Sequence, residues 1–118
     1  MNKVAIVVLA GTKQEDSMGR IVNALMAVKE LKENNDDVQL IFTGIGTMWL
    51  AELNRPSHQL HTVYNAVKDK IAGACGFCAT AYNETDAIKA GGIVILEEYG
   101  TNMSYVKLIN NGYQVITF

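Results

Sequence analysis

The segment KVAIVVLAGTKQEDSMGRIVNAL, residues 3–25, decides the fold class. Its first part, Lys3–Ala10, is a continuous apolar run rich in β-branched residues, without the alternation of a strand that faces water on one side. A polar, glycine-containing loop follows, and from Met18 onward apolar residues recur at helical spacing. A strand that is apolar on both faces and is followed by a helix is typical of a parallel sheet covered by helices.

The rest of the chain repeats this alternation of apolar strands and helices. Further strands are predicted at residues 38–44, 72–77, 92–100 and 113–118. The later helical segments are predicted at residues 48–54, 57–71, 78–83, 84–91 and 102–112. Parallel strands joined by helices take right-handed crossovers. The sequence therefore predicts an α/β protein, a three-layer sandwich with a mostly parallel five-stranded sheet of flavodoxin-like topology, with residues 1–118 in a single domain.

Composition and charge exclude several classes of function. The chain has 118 residues, of which 49% are apolar, and its net charge is −2 without a basic patch that could hold nucleic acid. No stretch approaches the roughly 20 apolar residues of a transmembrane helix, and the run Val4–Ala10 is at the short limit for a secretory signal. Two cysteines three residues apart do not form a disulfide framework. We therefore expect a cytoplasmic protein that binds neither nucleic acid nor membranes.

Three loops follow the first three strands, AGTKQED (10–16), TGIGT (43–47) and CGFC (75–78). Parallel sheets bind ligands beyond the carboxyl ends of their strands, near the point where the strand order reverses, so we expect these loops to meet at one site edge. None matches a nucleotide-binding motif, and tight turns are the ordinary explanation of their glycines, so neither a nucleotide nor a flavin cofactor is predicted. The predicted ligand-binding residues are Gly11, Thr12, Gly44, Gly46 and Gly76.

Cys75 and Cys78 are the candidate catalytic residues. Cys75 ends a strand and Cys78 lies near the first turn of the next helix, where free N–H groups favour a thiolate. A thioredoxin-type redox pair remains an alternative, although CGFC follows the third strand instead of the first βα unit. A zinc site with His58 and His61 is another, but the order H-x₂-H before C-x₂-C is unusual, and we predict no metal. Small buried cysteines also often only pack in a core.

The whole pattern resembles the DsrE/DsrF-like family of small sulfur-relay proteins, including its YchN-like branch. The resemblance runs from residues 3–33 through VQLIFTGIGTMWL and GACGFCATAYNETDAIKAGG to the terminal LINNGYQVITF. It implies a five-stranded α/β sandwich of DsrE-like topology that assembles as trimers or hexamers. It also implies that Cys75, by its distance ahead of AYN, is the counterpart of the persulfide-carrying cysteine, with Cys78 a second cysteine present in some YchN-like members. Relay members commonly have Arg-Gly where this chain has Tyr82-Asn83.

Three hypotheses of function follow from the residues and the resemblance. The leading one is a sulfur-relay protein that accepts sulfane sulfur on Cys75 and passes it between donor and acceptor proteins, with Cys78 as a resolving thiol. The second is a non-catalytic homo-oligomeric module that binds a small ligand or a partner through the same edge. The third is a dithiol redox protein.

Overall fold

The computed structural model describes all 118 residues, and its strands form one parallel sheet. The five strands are β1 (Lys3–Val8), β2 (Asp37–Phe42), β3 (Ile71–Cys75), β4 (Ile95–Leu96) and β5 (Gln114–Thr117). Their order across the sheet is β4-β3-β2-β1-β5, and every neighbouring pair is parallel. The predicted α/β sandwich with five strands is therefore confirmed.

Six α-helices connect the strands. They are α1 (Ser17–Glu33), α2 (Trp49–Leu53), α3 (His61–Val67), α4 (Gly76–Ala81), α5 (Thr85–Ala90) and α6 (Tyr105–Asn110). The helix predicted at 57–71 was too long, because residues 68–70 tighten into a 3₁₀ turn and Ile71 already pairs with Leu40 in the sheet. None of the helices combines the length and the apolar character that a bilayer crossing requires.

The predicted fourth strand, residues 92–100, was also too long. Only Ile95–Leu96 pairs as a regular strand, at the outer edge of the sheet beside β3. Beyond this point the chain turns back on itself: the N–H of Tyr99 donates to the carbonyl of Asn102 over 2.9 Å, and Gly100 adopts φ 58°. A positive φ is readily available to glycine, so Gly100 permits the reversal. The segment is consequently a loop at the carboxyl edge of the sheet.

The two faces of the sheet are covered very unequally. From β1 to β4 the chain moves across the sheet in one direction, so right-handed connections place α1 to α5 on one face, which holds a cluster of 19 buried apolar residues. The return from β4 to β5 places α6 alone on the other face, which we call the second face. Its buried cluster has six residues: Ala5, Val7, Ile41, Cys75, Met103 and Leu108. Because α6 spans only about 9 Å, much of the second face lacks a helix layer.

Candidate functional site

Cys75 and Cys78 lie at the carboxyl edge of the sheet, where β3 passes directly into α4. Cys75 is the last residue of β3 and occupies the N-cap position of α4, and Cys78 lies in the first turn. Gly76 allows this tight junction, because a Cβ there would lie 2.9 Å from both the Glu97 side chain and the Thr101 carbonyl oxygen. The N–H of Phe77 donates to the same carbonyl over 2.7 Å. Residues 97–104, which we call the covering loop, therefore pack directly on the cysteine turn.

The sulfur of Cys75 is enclosed by the covering loop. The residue is only 1% exposed, and it belongs to the buried cluster of the second face. The backbone N–H of Met103 donates to Sγ over 3.5 Å. The thiol in turn lies 3.8 Å from Oδ1 of Asn102, to which it can donate. Cys75 is thus a buried thiol with a backbone donor aimed at its sulfur.

The local groups favour the thiolate form of Cys75. Burial raises the pKa of its thiol, but the N–H groups of Cys78 and Met103, the thiol of Cys78 and the hydroxyl of Thr43 together outweigh burial and hold the pKa below its ordinary value of 9.0. The sulfur makes no regular capping hydrogen bond to α4. The stabilisation therefore comes from several weak donors that converge on one anion.

Cys78 is more accessible than Cys75. It is half-buried, and its Sγ lies 3.6 Å from Oγ1 of Thr43, at the end of β2. Tyr105, at the start of α6, lies near both sulfurs: burial raises the pKa of its hydroxyl, and the negative charges of Cys75 and Cys78 raise it further. The two thiols, Thr43 and Tyr105 therefore form one polar group at the carboxyl edge of the sheet.

Apolar side chains surround this group. An apolar depression of about 450 Å³ is lined by Tyr99, Met103, Ser104, Tyr105 and Val106. Phe77, which directly precedes Cys78 in the chain, is also exposed. Exposed aromatic side chains are enriched on surfaces that contact another protein.

The three glycine-containing loops lie side by side, as the parallel sheet requires. A Cβ on Gly11 would meet the Ile45 side chain at 3.1 Å, and a Cβ on Gly46 would overlap the carbonyl of Val8. Gly44 has φ 56° and faces the side chain of Leu9. These glycines are needed for close packing and for a turn. Their role in ligand binding stays a prediction. The same holds for Thr12, whose buried hydroxyl has no hydrogen-bond partner.

The site does not lie where the strand order reverses, contrary to the expectation from parallel sheets. The reversal is between β1 and β5, and there the N–H groups of Leu9 and Ala10 both donate to the carbonyl of Phe118, over 2.8 and 3.1 Å. These bonds occupy the backbone groups that would face a ligand in that crevice. The cysteines lie two strands away, at the end of β3.

The structure does not bring the histidines to the cysteines. Nδ1 of His61 lies 2.8 Å from the carbonyl of Leu53, and its Nε2 lies 2.9 Å from the side chain of Asn65. Nδ1 of His58 accepts the N–H of Leu60. No group of three or more His, Cys, Asp or Glu side chains is close enough to hold a metal ion together. Both histidines therefore stabilise the chain around α3.

The turn after α4 contains a residue with a left-handed backbone. Asn83 has φ 56°, a left-handed conformation that favours glycine and tolerates asparagine, and it stands where relay members carry glycine. Tyr82 is exposed at the position of their arginine. The turn therefore has no positive charge at Tyr82.

Comparisons with known proteins agree with this geometry. A protein of unknown function, BT1422 from Bacteroides thetaiotaomicron, superposes with a TM-score of 0.64 over 97% of this chain and 94% of its own, at 16% identity. The ychN protein from E. coli superposes with a TM-score of 0.60 over 100% of both chains, at 17% identity. This chain has the YchN fold.

Sequence comparison adds one relative and no activity. The uncharacterized protein MJ0733 from Methanocaldococcus jannaschii is 29% identical over 104 residues, which cover 88% of this chain and 84% of that protein. No protein-family model matches the chain. The YchN-like fold expected from the sequence is thus confirmed, and the function has to be argued from the site itself.

Sequence reasoning missed most of the cysteines' neighbours. Thr43, Asn102, Met103 and Tyr105 all contact or face the two sulfurs; Thr43 belongs to the predicted TGIGT loop, and the other three belong to no recognisable motif. One signal was available for three of them. The loop after β4 begins at the same edge of the sheet as the loop after β3, because all strands of a parallel sheet point the same way.

Proposed function

We propose that this protein is a sulfur carrier that holds sulfane sulfur as a cysteine persulfide and passes it to a partner protein. The observation that carries the proposal is the environment of Cys75, whose pKa is lowered although the residue is 1% exposed. Burial alone would keep a thiol protonated and inert. Here several donors converge on its sulfur instead, and such an arrangement suits an anion of sulfur.

The chemistry requires no cofactor and no change of oxidation state. A thiolate of the carrier attacks the outer sulfur of a donor persulfide, and the donor leaves as a thiolate. The product is a persulfide on the carrier, which is more acidic than a thiol. The N–H of Met103 contacts Sγ of Cys75, and we expect it and the hydroxyl of Thr43 to stabilise the negative charge of the carried sulfur. An acceptor thiolate removes the sulfur by the same reaction.

A second candidate, the homo-oligomeric binding module, rests on the second face of the sheet. Val106 and Ile109 of α6 are 65% and 62% exposed, and Lys107 and Leu108 of the same helix line a groove of about 420 Å³ between α6 and the sheet. The groove has an apolar floor that includes Ile41 and Leu96, with Lys3 among the charged groups at its rim. We propose that other copies of this chain cover the face, since an apolar surface without a helix layer favours association.

The test of the sulfur-carrier proposal is uptake of sulfur measured by intact-protein mass. The reduced protein is incubated with inorganic polysulfide, separated from it, and compared with a Cys75→Ser/Cys78→Ser double variant treated in the same way. We expect the wild-type mass to rise by one sulfur atom and the double variant to stay unchanged. A loss of two hydrogen atoms, the mark of a disulfide, supports the dithiol redox alternative. An unchanged wild-type mass leaves the binding module.

A further inference from the structure

The two cysteines differ in exposure in the order opposite to their predicted roles. Cys75, predicted to accept sulfur directly, is 1% exposed, while Cys78 is half-buried at the surface of the same helical turn. A sulfur donor must bring its outer sulfur into bonding distance of the attacking thiolate. In the folded protein, the thiol that a donor meets first is Cys78.

Direct access to Cys75 requires the covering loop to open. Opening would break the 2.7 Å bond from Phe77 N–H to the carbonyl of Thr101 and the 3.5 Å contact from Met103 N–H to the sulfur. It would also disturb Glu98, which accepts from the backbone N–H of Ser104 and from Nζ of Lys107. Several bonds that break together make such an opening rare compared with collision at an accessible thiol.

We propose, building on the sulfur-carrier function above, that Cys78 receives the sulfane sulfur and hands it to Cys75. Cys75 and Cys78 lie on one turn, and the side chain of Cys78 packs against the buried cluster that contains Cys75. Cys78 is thus the receiving thiol and Cys75 the holding thiol. The order reverses when an acceptor protein collects the sulfur.

The hand-over balances without an oxidant or a reductant. The thiolate of Cys78 first attacks the outer sulfur of the donor persulfide; the bond from this sulfur to Cys78 forms as its bond to the donor breaks, and the donor leaves as a thiolate. The Cys75 thiolate then attacks the outer sulfur of the Cys78 persulfide, so that the bond from this sulfur to Cys75 forms as its bond to Cys78 breaks. Cys78 leaves as a thiolate and takes the proton of the new persulfide, which is the stronger acid. One sulfane sulfur and one negative charge are present before and after.

The surroundings explain why the sulfur would finish on Cys75. A persulfide anion on Cys75 keeps the Met103 N–H, and the returning Cys78 thiol can donate to it. A persulfide on Cys78 has the Thr43 hydroxyl nearby and is open to solvent and to competing thiols. The holding thiol therefore both stabilises the anion and shields it.

The experiment measures rates of labelling and of label loss in the two single variants. Polysulfide uptake is followed by intact mass over time, and glutathione is then added to remove accessible sulfane sulfur. We expect Cys75→Ser still to take up sulfur through Cys78, and to lose it to glutathione roughly tenfold faster than the wild type. We expect Cys78→Ser to take up sulfur roughly tenfold more slowly, because the covering loop must open first.

Fragment-ion masses of wild-type protein supply a readout that does not depend on a variant's folding. Sulfur located on Cys78 at early times and on Cys75 at late times supports the hand-over. Sulfur on Cys75 from the first time point, with Cys78→Ser labelled as fast as wild type, overturns the hand-over and leaves the carrier function intact. Absence of any uptake by the wild type overturns the carrier function itself. Circular dichroism confirms that each variant is folded, and Cys75→Ala replaces Cys75→Ser if the latter is not.

Discussion

Replacement of Asn102 by aspartate tests the electrostatic account of Cys75. The change keeps the size of the side chain and places a carboxylate where Oδ1 now lies, 3.8 Å from the sulfur. Coulomb's law with an effective dielectric constant of about 20 gives a repulsion of about 4 kcal/mol between two unit charges at this distance. At about 1.4 kcal/mol per pKa unit, this corresponds to about three units as an upper value. We expect the pKa of Cys75 to rise by at least about one unit after relaxation of the site.

The assay for this prediction is a titration of the thiolate by its ultraviolet absorbance. A Cys78→Ser background isolates Cys75 as the only titrating thiol. Asn65→Asp, on α3 at the opposite face of the sheet, is the matched control, because it adds the same charge at an exposed position. The same pKa in Asn102→Asp and in the Asn65→Asp control would refute the reasoning, since Asn102 would then not face the sulfur.

Three further predictions concern stability and assembly. Tyr64→Phe should raise the free energy of unfolding by about 1 kcal/mol in chemical denaturation, because the buried hydroxyl has no hydrogen-bond partner. Burial also raises the pKa of Tyr64 to about 12, so the wild type should lose stability above pH 10, where the unfolded chain ionises first. Tyr64→Phe should remove this loss. The free energy of unfolding of the wild type relative to Cys75→Ser should increase as pH rises through the lowered pKa of the folded state towards 9.0, because the unfolded chain keeps its proton longer. A difference between the two proteins that does not change with pH would contradict this. Val106→Glu should shift sedimentation towards the monomer, because it places a charge on the exposed surface of α6. Met26→Glu places the same charge at an exposed apolar position on α1 and should not change the sedimentation. Equal effects of the two variants would count against association through the second face.

The fold could be predicted because its signals are local. The apolar run at Lys3–Ala10 and the helical spacing from Met18 onward are properties of adjacent residues, and they form β1 (Lys3–Val8) and α1 (Ser17–Glu33). The fourth strand was misjudged because residues 92–100 are apolar enough for a strand. An edge position gives such a segment only one partner, and Gly100 turns it back after Leu96. The length of an edge strand depends on how many backbone groups of the neighbouring strand are in position to pair with it. The sequence of the edge segment does not contain this information.

The candidate site could be predicted only in part. That Cys75 would end a strand and Cys78 would follow on a helix was visible in the sequence, and the structure has both. The burial of Cys75 was not visible, because it depends on Met103, which is 28 residues away along the chain. Contacts between distant segments that carry no motif follow from packing, so the relative exposure of the two thiols required the structure.

Titration of cyanide-labile sulfur tests the central claim, that this protein carries sulfane sulfur, most directly. Cyanide removes the outer sulfur of a persulfide as thiocyanate, and the amount of thiocyanate per chain counts the carried atoms. After incubation with polysulfide and removal of the donor, the account predicts about one labile sulfur per chain in the wild type and none in the double cysteine variant. Equal amounts from the wild type and from the double variant, or none from either, would contradict it.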